Sequence, residues 1–162
     1  MPRKENLSPA GTYSLASNLE TINTTGFEAD VLYKKKISSN CSITGTLGYT
    51  FIRSENEDAV PSFYISSHAR HLLNFTGQLT IKSFSLGVNG LFKERNSREA
   101  LAIGARITPS YFIMGFKMSF ALPENHFRFS FQADNIFNKS YSDLLGASMP
   151  GRWLSGGIEI TL

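Results

Sequence analysis

The chain is predicted to be all-β: an antiparallel meander of about seven strands. Three observations carry this. Apolar and polar residues alternate with period two through seven segments, the pattern of strands with one apolar and one polar face. The connections alternate short and long, so antiparallel neighbours place every short turn at one end and every long loop at the other. Aromatic residues gather near segment ends: Tyr33, Phe84, Phe120 and Phe127 by the short turns, Tyr49, Phe51, Phe92 and Phe112 by the long loops.

In chain order, Met1 to about Gly11 is polar and reads as loop. An extended segment runs from Thr12 to about Lys35, with Phe27, Ala29, Val31 and Tyr33 opposite Glu28, Asp30 and Lys34. Ser38 to Asn40 makes a short turn. The second strand sets Cys41, Ile43, Gly45, Leu47, Tyr49 and Phe51 against Ser42, Thr44, Thr46, Gly48 and Thr50. Arg53 to Ser67 is a long polar loop. His71, Leu73, Phe75, Gly77, Leu79 and Ile81 form the apolar face of the third strand. Lys82 and Ser83 alone separate it from the fourth, a tight hairpin. That strand sets Phe84, Leu86, Val88, Gly90 and Phe92 against Ser85, Gly87, Asn89 and Lys93. Glu94 to Thr108 is a second long loop. The fifth strand carries Phe112, Met114, Phe116, Met118 and Phe120. The sixth carries Phe127, Phe129, Phe131 and Ala133. Ile136 to Pro150 is the third long loop, before a last strand with Leu154, Ile158, Ile160 and Leu162 on one face. No Asp, Glu, Lys or Arg falls on the apolar face of these segments.

Composition narrows the function classes. The chain has 162 residues, one ordinary domain, and a formal net charge of +3, too weak a bias to indicate nucleic acid. Its apolar runs are too short for a spanning helix. Met1-Pro-Arg-Lys-Glu-Asn6 is polar with no apolar run behind it, so no signal peptide is expected. Cys41 is the sole cysteine and reads as a packing residue.

Short turns at one end, long loops at the other, an uncharged apolar face and aromatic girdles are features of an outer-membrane β-barrel. In lipid every backbone N–H and C=O must pair within the protein, so strands persist there only in a closed barrel. A soluble β-sandwich shows the same alternation with the apolar face buried. The polar face here is mostly Ser, Thr, Gly, Asn and Gln rather than Lys and Glu, which favours the membrane reading.

The last two strands carry a resemblance. Asp134-Asn-Ile-Phe-Asn-Lys-Ser-Tyr141 resembles the N-L-F-D-K-x-Y segment of TonB-dependent outer-membrane receptors, and Pro150-Gly-Arg-Trp-Leu-Ser-Gly-Gly157 resembles their P-G-R lead into the final strand. Upstream, Gly26-Phe-Glu28, Leu47-Gly-Tyr-Thr-Phe51 and Pro109-Ser-Tyr111 resemble further strands of that family in the same order. Ser155, Gly157, Ile160 and Leu162 resemble the C-terminal signal read by the barrel-assembly machinery, with Leu where the last position is usually aromatic.

The resemblance implies a 22-strand barrel plugged by an N-terminal domain that contacts TonB. This chain matches only its last strands, so all of residues 1–162 is expected to be a C-terminal barrel segment, an open fragment of a transmembrane β-barrel. A truncated product, a broken gene or a mis-started reading frame would each give such a fragment. The implied function is outer-membrane import, in a Gram-negative bacterium, of a scarce nutrient of the ferric siderophore, haem or cobalamin class. Implied partners are outer-membrane lipid, TonB through the absent plug, the barrel-assembly machinery and a small-molecule nutrient; nucleic acid is not among them. A passive porin-type barrel and, behind it, a soluble β-sandwich binding module are the alternatives.

No catalytic, metal or cofactor set stands out. His68 and His71 fall on opposite faces of an extended chain, so joint metal ligation is not expected. Asp143 and Ser148 lack the strand–turn–helix context of a hydrolase nucleophile. Glu28, Asp30, Lys82, Lys117, Arg128, Asp134 and Glu159 belong to the polar face, where charge pairing between neighbouring strands is the simplest role. Phe63, Tyr64, Arg70, Tyr141 and Trp153 sit in or beside long loops and are candidates for ligand contact, with no residue assignable.

Overall fold

Alternating segments joined by two-residue turns have their sequence neighbours as the nearest pairing partners, and in the structure they take them. The computed structural model describes residues 22–56, 68–100, 104–122, 126–144 and 146–161. The strands are β1 (Ile22–Ser38), β2 (Cys41–Asn56), β3 (His71–Ile81), β4 (Phe84–Glu94), β5 (Arg98–Ala100), β6 (Ala105–Ile107), β7 (Ser110–Ala121), β8 (Phe127–Asp134) and β9 (Trp153–Ile160). Seven of them form one antiparallel sheet in the meander order β1-β2-β3-β4-β7-β8-β9, while β5 and β6 pair as a separate ribbon. The sheet stays open, with β1 and β9 at its edges. The leading loop to Gly11, the approach from Thr12, Phe63, Tyr64 and Leu162 lie outside the described residues.

The register keeps the two faces separate across the whole sheet. Phe27 stands opposite Phe51, Val31 opposite Leu47, and Leu47 opposite Phe75. Leu79 faces Leu86, Leu86 faces Met118, Met118 faces Phe131 and Phe129 faces Ile158. The polar rows align equally: Thr46 with Thr76, Thr76 with Asn89, Ser119 with Ser130. A slip of one residue anywhere would move a whole apolar set to the other face, so the alternation itself specifies the register. Hydroxyl pairs add local bonds, as between Thr46 Oγ1 and Thr76 Oγ1 at 2.6 Å.

The polar face is concave. Gln78, Thr80, Ser85, Lys117, Ser119 and Arg128, from four adjacent strands, line one hollow of about 880 Å³. The apolar face is uncovered among the described residues. Phe27 is 57% exposed, Val31 61%, Phe120 47% and Ile158 66%. Apolar burial is confined to Ile107, Tyr111, Ala121 and Ala133 among the described residues. No described element lies across this face, so these residues do not form the second layer of a sandwich.

Several expectations need correction. β1 continues past Lys35 to Ser38, which puts Lys35 in the apolar row opposite Ile43. β2 runs on to Asn56, through residues read as loop, because β1 also continues: Ile22 pairs Asn56, and Thr24 Oγ1 lies 2.9 Å from Ser54 Oγ. The loop from Glu94 to Thr108 contains the β5–β6 ribbon, turned at Gly104 with φ +60° and carrying a Glu99–Arg106 ion pair of 3.1 Å. Leu72, Leu91 and Ile113 sit in the polar rows at the long-loop end, where Leu91 faces Ile113. Ile113 shares a hollow with Tyr141 and Pro150 of the third loop, neighbours that alternation within a strand does not reveal.

Gly26 allows β1 to approach β2. A Cβ there would strike the Phe51 carbonyl oxygen, a backbone atom that moves only with its strand. Gly26→Ala is expected to weaken the β1–β2 pairing by about 1–3 kcal/mol, the usual cost of overpacking. Amide exchange in detergent should quicken along β1 and stay unchanged in β8; uniform protection in both would contradict the close approach.

Candidate functional site

Three features gather side chains in ways that bear on function. The first is the convex apolar face and its rim. At the long-loop end Phe27, Tyr49, Phe51 and His71 form a cluster of rings, with Phe51 and His71 centroids 5.1 Å apart. Tyr49 Oη and His71 Nδ1 are 2.7 Å apart, so the polar atoms of both rings are joined at the edge of the apolar band. Phe75, Phe112 and Phe137 continue the ring contacts toward the third loop. Gly90 lies beneath the Phe75 ring, where a Cβ would collide with it.

The second feature locks residues 134–141 to residues 150–152. Asn135 and Asn138 both adopt left-handed backbone, with φ +48° and +51°, a conformation Asn tolerates better than most residues. Asn135 is buried. Its Nδ2 donates to the carbonyls of Lys139 (2.9 Å) and Pro150 (3.2 Å), and its Oδ1 accepts from the Lys139 amide (2.9 Å). Asn138 Oδ1 accepts from the Arg152 amide at 2.9 Å, and Arg152 Nε donates to the Ile136 carbonyl at 3.0 Å. A Cβ on Gly151 would come within 2.6 Å of Asn138 Oδ1. The segment after β8 is therefore clipped to the segment before β9 by the side chains of Asn135, Asn138 and Arg152.

The third feature is a buried charge cluster between the second and third long loops. The Arg95 side chain is 1% exposed. It donates to the carbonyls of Thr108, Ser142 and Asp143 at 3.2, 3.0 and 3.1 Å. Asp143 Oδ1 receives Arg95 Nη2 at 2.9 Å, Lys93 Nζ at 3.0 Å and the Tyr111 hydroxyl at 2.9 Å. The Thr108 amide donates to the Ser142 carbonyl at 3.0 Å, and the Ser142 amide to Thr108 Oγ1 at 2.8 Å. The Tyr111 and Tyr141 rings are in tilted contact, with centroids 4.4 Å apart. Burial tends to raise the Asp143 pKa. The hydrogen bonds from Lys93 and Tyr111 and the charges of Lys93 and Arg95 outweigh it, and the net shift is downward. The cluster holds a charge pair by satisfying each polar atom, which suits a structural clamp rather than a reactive group.

The remaining predicted residues are dispersed. Among Glu28, Asp30, Lys82, Lys117, Arg128, Asp134 and Glu159, the pairing between neighbouring strands is Arg128 with Glu159, at 3.5 Å and exposed. Asp134 instead accepts from Gln132 on its own strand at 2.8 Å, and Glu28 from Thr50 at 3.5 Å. Lys82 is a turn residue with φ +51°, not part of a strand face. Ser155 stands opposite Gln132 and Gly157 opposite Ser130, while Ile160 joins the apolar row opposite Phe127. Trp153 stands opposite Asp134 in the polar rows, 64% exposed. Arg70 extends the ladder through its backbone, its amide donating to Glu94 and its carbonyl accepting from Ile52. His71 belongs to the ring cluster. Among the described residues no three His, Cys, Asp or Glu converge as metal ligands would. The Arg95 clamp was not anticipated from sequence, since its partners lie up to 48 residues apart.

Scanned against protein-family models and against curated proteins, the chain matches none.

Asp143→Asn should leave Arg95 buried without its counter-charge and open the clamp by about 3 kcal/mol. Exchange of the Thr108 and Ser142 amides is expected to accelerate roughly 100-fold while amides of β3 keep their protection. A lowered folded pKa means that Asp143 stabilises the clamp above the unfolded value of about 3.9, and that this is lost as pH falls through the folded value. Those two amides should thus stay protected from neutrality to about pH 4 and open only below it. Gly151→Ala should displace Asn138 and cost about 1–2 kcal/mol through the lost bond to Arg152. The Arg152 amide reports this directly, and an unchanged exchange rate there would rule the clip out.

Proposed function

We propose that this chain is a wall segment of an outer-membrane β-barrel of the TonB-dependent receptor kind, from a Gram-negative bacterium, taking part in import of a scarce nutrient. The observation that carries the proposal is the apolar face that runs across seven strands and stays exposed among the described residues, with a hollow on the hydroxyl- and amide-rich face. Water around such a face would be costly at about 25 cal/mol per Å². Lipid tails around it would not, provided further strands pair the two open edges.

Dimensions agree with a bilayer. Cys41 to Phe51 is an unbroken apolar row along β2. Its length of ~33 Å becomes ~25 Å along a barrel axis for a strand tilted by ~40°, the height of the apolar band in such barrels. Arg53 and Glu94 lie beyond the band at the long-loop end, and Lys35 enters it only near the short turn, opposite Ile43. The import function itself rests on the resemblance of residues 134–141 and 150–157. The clip through Asn135, Asn138 and Gly151 gives those residue types a physical reason to occur together. In this reading the segment supplies wall and external loops. Energy would come from TonB through a plug domain, and no chemistry is assigned to residues 1–162.

The lipid orientation can be tested on the full chain reconstituted in vesicles. With Cys41 replaced by Ser, an environment-sensitive fluorophore is attached at Met118→Cys or Ser119→Cys. Nitroxide-labelled acyl chains should quench the first strongly and the second weakly. Equal quenching, or the reverse order, would remove the membrane reading. For import against a passive pore, the discriminating datum is the genomic reading frame ahead of Met1. A plug domain with a TonB box is expected there; a signal peptide running directly into strands would assign a pore instead.

A further inference from the structure

A hollow of about 290 Å³ opens on the polar face beside the third long loop, and Gly115 is part of its lining. Asn89 stands opposite Gly115 on β4, and Asp134 reaches it from β8. A Cβ added to Gly115 would meet three oxygens: Asn89 Oδ1 at 2.9 Å, the Ala133 carbonyl at 3.1 Å and Asp134 Oδ1 at 3.1 Å. Glycine thus leaves a space on which three acceptors converge. Gln132 Nε2 donates to the other carboxylate oxygen, Asp134 Oδ2, at 2.8 Å. That bond holds the carboxylate while Oδ1 stays beside Gly115. Asp134 takes part in none of the ion pairs found among the described residues. Trp153, opposite Asp134 and 64% exposed, lines the same hollow with the Tyr141 ring and the aliphatic Ile113. No Lys or Arg is among the lining residues. Lys117, two residues along β7 from Gly115, lines the separate hollow with Ser119 and Arg128.

We propose that this hollow binds a primary organic ammonium group, with its N–H donors directed at the three oxygens and its carbon body against Trp153 and Ile113. A primary ammonium has three donors and no acceptor, which matches three converging acceptors. Hydrogen bonds from an ionised donor to a carboxylate are the stronger kind, and a cation near an indole face gains from the ring quadrupole. An anion would meet acceptors and like charge, and a neutral alcohol offers one donor to three oxygens. The hollow lies on the polar face, so the site does not rest on the membrane reading above. It adds a ligand class to residues that the wall role leaves without one.

The test is a titration of the full chain in octyl glucoside micelles, which carry no ammonium headgroup. Trp153 is the sole tryptophan, so its indole N–H gives a single NMR resonance. With n-butylammonium as probe, that resonance should shift and saturate at about millimolar concentration. n-Butanol lacks the charge and tetramethylammonium lacks the N–H donors, and each should bind roughly tenfold more weakly or worse. Asp134→Asn should weaken n-butylammonium about tenfold and Asn89→Ala about threefold. Lys117→Gln removes a nearby like charge and should bind at least as tightly. Three results would overturn the site: no saturable shift in the wild type, an equal response to either control ligand, or unchanged affinity in Asp134→Asn. Far-UV circular dichroism checks that each variant keeps its strands. Should Asp134→Asn lose them, Asn89→Ala and the two control ligands decide the matter in its place.

Discussion

Cross-strand pairing holds this structure together, because little packed interior exists among the described residues to do so. A sheet in a soluble domain gains most of its stability by burying one face against a second layer. Here the apolar side chains touch mainly their neighbours along each row, and they remain exposed from Phe27 on β1 to Ile158 on β9. Each backbone ladder therefore depends on the next, and the outermost strands have a free edge. Two open edges and an uncovered apolar face are a liability in water. Both are resolved together by a barrel in lipid, which is why the proposed setting follows from the sheet rather than from any single residue.

The two ends of the sheet are built differently. At the long-loop end the chain leaves the ladder, so backbone and side-chain polar groups need other partners. The Arg95 guanidinium supplies three loop carbonyls, and Asp143 neutralises it along with Lys93. Burying a charge is costly unless each of its hydrogen-bonding atoms is met, and here the cluster meets them. The result is that two of the long connections are tied into one structure above β4 and β7. At the short-turn end the connections are too tight to need such support. A single backbone bond, from the Lys82 amide to the Asn40 carbonyl, joins two of them.

The motif residues of the last loop illustrate how a sequence pattern follows from backbone demands. Asn appears at positions 135 and 138, where φ is positive and the side-chain oxygen must accept from an amide across the loop. Gly appears at 151, where the approach of Asn138 leaves no room for a Cβ. Pro150 presents a carbonyl to Asn135 and requires no donor partner for itself. These residues fix the geometry that leads into β9, the strand carrying Ser155, Gly157 and Ile160.

Strand order and the division of each strand into two faces were legible in the amino-acid sequence, because alternation has a period that geometry cannot evade and short turns leave neighbours little choice of partner. Cys41 to Phe51 and Phe84 to Gly90 read correctly residue by residue. Strand ends were less legible: Arg53 to Asn56 look like loop until the facing residues of β1 are known to pair with them. The Arg95–Asp143 clamp, the clip from Asn135 to Pro150 and the convergence of Asn89 with Asp134 over Gly115 were not legible. Each joins residues whose separation in sequence has no periodic relation, so only the path of the folded chain brings their atoms within bonding distance.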